Sequence, residues 1–212
     1  MNRNRPSEHR LSDNRSFRRP WYMMMFPRIL SAAAQRRLQA HLKKGGLVAY
    51  PTESCYGLGC IPTLPKALNQ LIHLKKRPQH KGMIVIGHNL EQLQPLLQRP
   101  SENIQTMLHE AWPAPKTFLL PTGKKVLPLL RGKGRSKLAV RVPAHVGARR
   151  LCQVLKMPLV STSCNRAGKR ACKTEREVRR QFGRKVWVVG GLIGRQKMPS
   201  QIIDGETGAR LR

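Results

Sequence analysis

The stretch GGLVAYPTESCYGLGC, residues 45–60, decides how this chain is read. Gly45-Gly46 stops what precedes it, Leu47-Val48-Ala49-Tyr50 is a short apolar run, and Pro51 ends that run. Beyond the proline come Thr52, Glu53, Ser54 and Tyr56, then Gly57-Leu58-Gly59. A buried strand that runs out into hydroxyls and glycines presents short hydrogen-bonding groups on a loop. In open α/β sheets, ligands lie beyond such strand ends.

Working outward, residues 31–43 read as a helix with Ser31 as N-cap, Leu38 and Leu42 on one face, and the glycine pair as its stop. Residues 65–76 read as a second helix, opened by Pro65, carrying Leu68, Leu71, Ile72 and Leu74, and ended by Pro78 after Lys75-Lys76-Arg77. Further helices are predicted over 90–98, 101–111 (Ser101 as cap), 144–156 and 174–182, the last with Thr174 as cap and Glu177 at the capping-box position. Strands are predicted over 47–50, 83–86, 117–120, 138–142, 158–161, 186–189 and 201–203. The loose alternation implies a single α/β domain with a mixed sheet flanked by helices.

Composition sets the outer bounds. The 212 residues are 40% apolar, enough for a substantial core, and the 16 prolines and 17 glycines are scattered as turns. Lys plus Arg number 41 against 10 acidic residues, a formal net charge of +31, which attracts polyanions and makes RNA the natural partner. The five cysteines, at 55, 60, 152, 164 and 172, include no C-x-x-C pair, so neither a disulfide framework nor a zinc site is expected and a reduced, cytoplasmic setting is implied. No apolar run reaches the roughly 20 residues that span a membrane. Residues 1–28 form a polar, basic leader expected to be disordered, with ordered structure from about Ile29. An RNA-binding arm, a transit-like peptide (against which Glu8 and Asp13 count) and a start at Met23, Met24 or Met25 all stay open.

Four segments end an apolar element in groups suited to anions: Pro51-Thr52-Glu53, Lys75-Lys76-Arg77-Pro78, Ser161-Thr162-Ser163-Cys164-Asn165 and Pro199-Ser200-Gln201-Ile202-Ile203-Asp204. Lysine as a point charge and arginine as a two-pronged donor suit phosphate and carboxylate, while Ser, Thr and Asn add short orienting bonds. Each segment alone is an ordinary helix end or turn. Their combination and order carry the signal.

With AYPTESCYGLGC, HLKKRPQHKGMIVI, WPAPKTFLLP, LAVRVPAH, PLVSTSCNRAG and PSQIIDGETGARLR in this order, the chain resembles the YrdC/Sua5 family, the threonylcarbamoyl-AMP synthases of tRNA modification, from about Leu30 to Arg212. It looks most like the short, single-domain bacterial form. The resemblance implies a twisted α/β sheet with a concave, basic face. It implies formation of threonylcarbamoyl-adenylate and pyrophosphate from L-threonine, bicarbonate and ATP. A separate transferase complex would then modify adenosine 37 of tRNA. By the same resemblance Lys75 and Arg77 match the K-x-R pair, assigned to catalysis on the ATP phosphates and the carboxylate. Ser163 and Asn165 match the S-x-N pair, the serine on the threonine side and the asparagine on the nucleotide. Thr52, Arg141 and Ser200 are assigned to L-threonine and Arg212 to ATP. Magnesium is expected to accompany ATP, without a dedicated protein cage.

Departures from the family pattern are Ala114 and Lys116 in WPAPKT, Ala167 in SCNRAG, Ile61-Pro62 after Cys60, and Cys164 where alanine is usual. Cys164 reads as a small packing residue and not as a nucleophile. His80 reads as an exposed loop residue near the K-x-R pair, and Lys116, Arg166, Lys169 and Arg170 as additions to the positive face. Two other readings remain: a non-catalytic RNA-binding or ribosome-maturation module, and a carbamoyl-transfer domain of the hydrogenase-maturation kind. The first fits the charge but not an aromatic content of 5%. The second occurs in longer chains with zinc-finger segments.

Overall fold

A computed structural model describes residues 30–78, 81–124 and 126–212. Its elements, in chain order, are α1 (Ala32–Lys43), β1 (Val48–Pro51), β2 (Tyr56–Gly59), α2 (Pro65–Lys75), β3 (Ile84–Ile86), α3 (Leu90–Leu93), α4 (Glu102–Ala111), β4 (Lys116–Pro121), α5 (Pro128–Arg131), β5 (Lys137–Arg141), α6 (Val146–Leu155), β6 (Leu159–Ser163), α7 (Glu175–Phe182), β7 (Trp187–Val188) and β8 (Gln201–Asp204). The strands form one sheet in the order β7-β1-β2-β6-β3-β5-β4-β8. The pairs β1–β7, β3–β5 and β4–β8 are parallel and the others antiparallel, so the sheet is mixed as the alternation implied.

The two faces of the sheet follow from the two-residue period of the strands. On β5, Leu138 and Val140 are fully buried in the larger core cluster, together with Val85 of β3, Val160 of β6 and the apolar faces of α2, α4 and α7. Ile86 and Leu159 turn to the opposite face, where α1 (Leu38, Leu42) and α6 (Ala148, Leu151, Cys152, Leu155) complete a smaller cluster. That smaller cluster covers only part of its face. Lys137, Ala139 and Arg141 of β5, with Ser161 and Ser163 of β6, line an open cavity.

Several elements differ from the sequence reading. The run ending at Pro51 is the first arm of a hairpin: Tyr56–Gly59 is itself a strand, paired antiparallel to β1. Glycines mark turns, so the second arm was illegible, yet these two serve close approach. A Cβ on Gly59 would lie 2.1 Å from the Val160 carbonyl oxygen and 3.2 Å from the Tyr50 ring. Its absence lets Tyr50 cross the hairpin and donate its hydroxyl to that same oxygen at 3.0 Å. The helix expected over 90–98 is shortened to α3 followed by a 3-10 turn, Gln94–Leu96, because Pro95 breaks the helical ladder. Ser101 stands at the N-cap of α4 but makes no capping bond with its side chain, whereas Ser31 accepts from Ala34 N and Thr174 forms the full capping box with Glu177. The one-turn α5 was not foreseen. Helix α6 begins two residues later than expected, with His145 as its cap. The leader 1–28, the start near Ile29 and His80 lie outside the described residues.

Gly59→Ala is expected to destabilise the fold by about 3 kcal/mol, because the methyl group meets backbone oxygen and not a yielding side chain. Denaturant unfolding measures this; a loss under about 1 kcal/mol would show that β2 and β6 can separate without cost.

Candidate functional site

The cavity has a volume of about 780 Å³. Its first end is built by the turn that opened the sequence reading. Thr52 N and Oγ1 both donate to Cys55 O, at 3.0 and 2.7 Å, which closes the turn between β1 and β2 and fixes the buried threonine at the cavity wall. Beside it Arg141, at the end of β5, is only 7% exposed. Its Nη2 lies 3.4 Å from Glu53 Oε2, and Glu53 Oε1 accepts from Ala144 N at 2.9 Å. Glu53 Oε2 and Arg141 Nε make no hydrogen bond of good geometry, so the pair neutralises charge without using the guanidinium's full donor set. The sequence alone gives Glu53 no partner. Its only signal there was one acidic residue among hydroxyls.

The K-x-R pair is shaped by how α2 ends. Lys76 adopts the left-handed conformation (φ 52°), and Lys76 N and Arg77 N bond back to His73 O and Ile72 O. This turn separates the two cations. Lys75, on the last helical turn, is buried, and its Nζ donates to Ser163 O and to Asn165 O, the latter at 2.7 Å. Burial lowers its pKa to about 8, and the neighbouring Arg77 charge adds to the effect. Arg77 leaves the helix and lines the cavity, its Nη2 donating to Gly82 O at 2.7 Å. Burial draws its pKa down, yet a guanidinium stays charged at neutral pH.

Ser163 lines the cavity and donates its hydroxyl to Asn165 Oδ1 at 2.6 Å. Asn165 Nδ2 donates to Lys169 O at 2.7 Å, so this side chain ties its own loop together. At the far lip, Ser200 Oγ accepts from the buried Thr117 hydroxyl at 2.9 Å, and Ser200 O accepts from the Arg212 guanidinium at 3.1 and 3.3 Å. Of the residues singled out from sequence, Thr52, Arg77, Arg141, Ser163, Ser200 and Arg212 line the cavity together. Lys75 and Asn165 do not line it; they sit beneath and beside Ser163. The loop RGKGRSK, residues 131–137, supplies three further lining cations, Arg131, Arg135 and Lys137. Its sequence signal is the alternation of glycines and cations before a strand.

Six cationic side chains thus line the cavity and, among the described residues, no Asp or Glu does. Among the described residues no group of His, Cys, Asp and Glu could hold a metal ion. The cationic and hydroxyl side chains that line the cavity do not suit a resident magnesium ion. Cys164 is buried and burial pushes its thiol pKa up, which suits packing and not nucleophilic attack. Among the described residues no helix is long and apolar enough to cross a membrane.

Comparison with known proteins agrees with this geometry. The Sua5/YciO/YrdC family, described as telomere recombination, matches residues 40–212. A Neisseria meningitidis serogroup B protein named threonylcarbamoyl-AMP synthase is 80% identical over 189 residues, 89% of this chain and 100% of that protein. A protein of the same name from Laribacter hongkongensis is 49% identical over 185 residues, 87% of this chain and 99% of its own. The crystal structure of P. abyssi Sua5 complexed with L-threonine superposes with a TM-score of 0.73 at 30% identity, covering 81% of this chain and 51% of that one. The chain belongs to the Sua5/YciO/YrdC family.

Proposed function

We propose that the chain is an enzyme that forms threonylcarbamoyl-AMP, a nucleotidyl transfer that serves tRNA modification. The observation that carries this is a cavity where four separate motif segments meet, lined by six cations and, among the described residues, no Asp or Glu. The reaction must bring two anions together. An oxygen of the N-carboxylated threonine attacks the α-phosphorus of ATP, a new O–P bond forms, and the bond to the bridging oxygen of the β-phosphate breaks with its electron pair leaving on pyrophosphate. Fixed positive groups in a partly enclosed site offset the repulsion and hold the reactants in line.

In this reading Thr52, Ser163 and Ser200 orient threonine, and Arg141, half-released from Glu53, receives its carboxylate. Arg77 faces the phosphates and Arg212 flanks the nucleotide, while Asn165, outside the cavity lining, holds the Ser163 loop in place. Lys75 acts from beneath: its charge adds to the field, and its N–H groups fix the Ser163–Asn165 segment. Magnesium enters with ATP as part of the substrate. Residues 29–212 form the catalytic unit and 1–28 a basic leader, working in the cytoplasm alongside a transferase complex.

Pyrophosphate release from ATP by the purified chain should require L-threonine and bicarbonate together. Arg77→Ala should lower kcat/KM by about 10²-fold, as for loss of one charged group facing the phosphates. Release without threonine, or full activity in the variant, would sink the assignment.

The lowered pKa of Lys75 gives a pH test. Its value in the fold, about 8, lies below the ordinary 10.5, so between these limits the unfolded chain binds more protons. The cost of the buried charge is therefore present below pH 8 and is relieved as pH rises through that window. Relative to Lys75→Met, the wild type should gain stability when denaturant unfolding is repeated at rising pH within it. A difference that stays constant would mean the ammonium is not held against its ordinary pKa.

The net charge of +31 supports direct contact with RNA. Binding to tRNA should weaken by at least about tenfold between roughly 50 and 200 mM salt. Replacing the exposed Arg166, Lys169 and Arg170 with glutamine should flatten the salt slope by about three. An unchanged slope would remove this surface from the interface.

A further inference from the structure

The cations of the cavity divide by what neutralises them. Arg141 faces Glu53, and Lys137 is paired with Asp204 at 2.8 Å and Glu206 at 2.6 Å. Among the described residues Arg131 and Arg135 make no ion pair, and their guanidiniums make no hydrogen bond. Two arginines without counter-charge in one concave wall repel each other and favour an anion between them.

Their position says which anion. Met83 N donates to Leu130 O at 2.8 Å, and a Cβ on Gly82 would lie 2.5 Å from Arg131 O, so the end of α5 is pressed directly onto Gly82. Arg77 donates to Gly82 O from the other side. Gly132 (φ 90°) and Gly134 (φ 76°) then turn the chain through conformations that a side chain would oppose, which brings Arg135 back to the same wall. Arg77, Arg131 and Arg135 therefore gather around one point of the backbone. Arg141, beside Glu53, stands at the other end of β5; the five residues Lys137–Arg141 span about 13 Å of strand. An arginine paired with Glu53 stands at one end of the cavity, and at the other three guanidiniums with no carboxylate partner among the described residues gather beside the paired Lys137.

We propose that Arg131 and Arg135, together with Arg77, form the subsite for the β- and γ-phosphates of ATP and hold the departing pyrophosphate. This rests on the adenylate-forming reading above. Pyrophosphate concentrates several charges on terminal oxygens, which planar two-pronged donors match. As the bond to the α-phosphorus breaks, negative charge builds on the bridging oxygen, and donors already in place at that end lower the barrier. No proton need be transferred.

The test is calorimetric titration of inorganic pyrophosphate, and separately of AMP and L-threonine, into the wild type and the Arg131→Gln/Arg135→Gln double variant. Pyrophosphate should bind at least about tenfold more weakly to the variant, with Arg131→Lys/Arg135→Lys intermediate, because lysine keeps charge but loses the fork. AMP and L-threonine should bind as before. Arg184→Gln/Lys185→Gln removes two charges outside the cavity lining and should change nothing. Unmoved pyrophosphate affinity, or equal losses for AMP, would overturn the subsite. Turnover in the same preparations separates the two readings. Pyrophosphate release with unmoved affinity removes the subsite and keeps the synthase. Lost affinity in a chain that never turns over keeps the anion subsite and removes the synthase.

Discussion

The site depends on one buried cation. Lys75 ends α2 with its ammonium directed at the backbone oxygens of Ser163 and Asn165, and Ala167 N donates back to Lys75 O at 2.8 Å. Two motifs about ninety residues apart in the chain are clamped by bonds in both directions. A buried charge is costly unless its donors are matched. Here the matching groups are carbonyls, which carry no counter-charge of their own. Lys75 therefore keeps its positive field while anchoring the segment that presents Ser163. A carboxylate partner would have fixed the loop equally well and cancelled that field.

The same economy governs the sheet. A mixed sheet can be covered on both faces or left partly open. Here α1 and α6 stop short, and the strands beyond them change composition on that face alone: Ile86 and Leu159 under the helices, Ser161, Ala139 and Lys137 outside them. The opposite face is apolar at Val85, Val140 and Val160, all fully buried. The cavity floor is thus as rigid as the core beneath it, because alternate residues of the same strands belong to each.

What was legible in the sequence follows from this division. Local signals read well: Ser31 and Thr174 as caps, Pro65 opening α2, and LAVRV as an alternating strand that turns Arg141 to the side opposite Val140. The motif segments read well because each is a strand or helix end. Signals that depend on a distant partner did not. Gly57 and Gly59 look like turn residues until Val160 and Ser161 are seen packed against them. Ser101 looks like a cap, but a serine at the N-cap position is no guarantee that its hydroxyl closes the bond. The pairing of Glu53 with Arg141 spans 88 residues of chain and is invisible to any local pattern. The sheet order, which sets β6 between β2 and β3 and β7 beside β1, is likewise set by packing alone.

Electrostatics then distinguishes cations that a composition count treats as equal. Lys137 lines the cavity, but Asp204 and Glu206 share its charge, draw its pKa up and hold its side chain toward β8. That pairing ties the edge strand to β5 beside the cavity and leaves little net field at that point. Arg141 is paired with Glu53, which offsets its charge and holds it at the cavity wall. Arg77 answers only to carbonyls. A net charge of +31 becomes useful at one place because the few acidic residues that reach this region are spent on two of its six cations. The remaining field comes from the cations that have no carboxylate partner among the described residues, Arg77, Arg131 and Arg135 included, and is offset where Glu53, Asp204 and Glu206 stand.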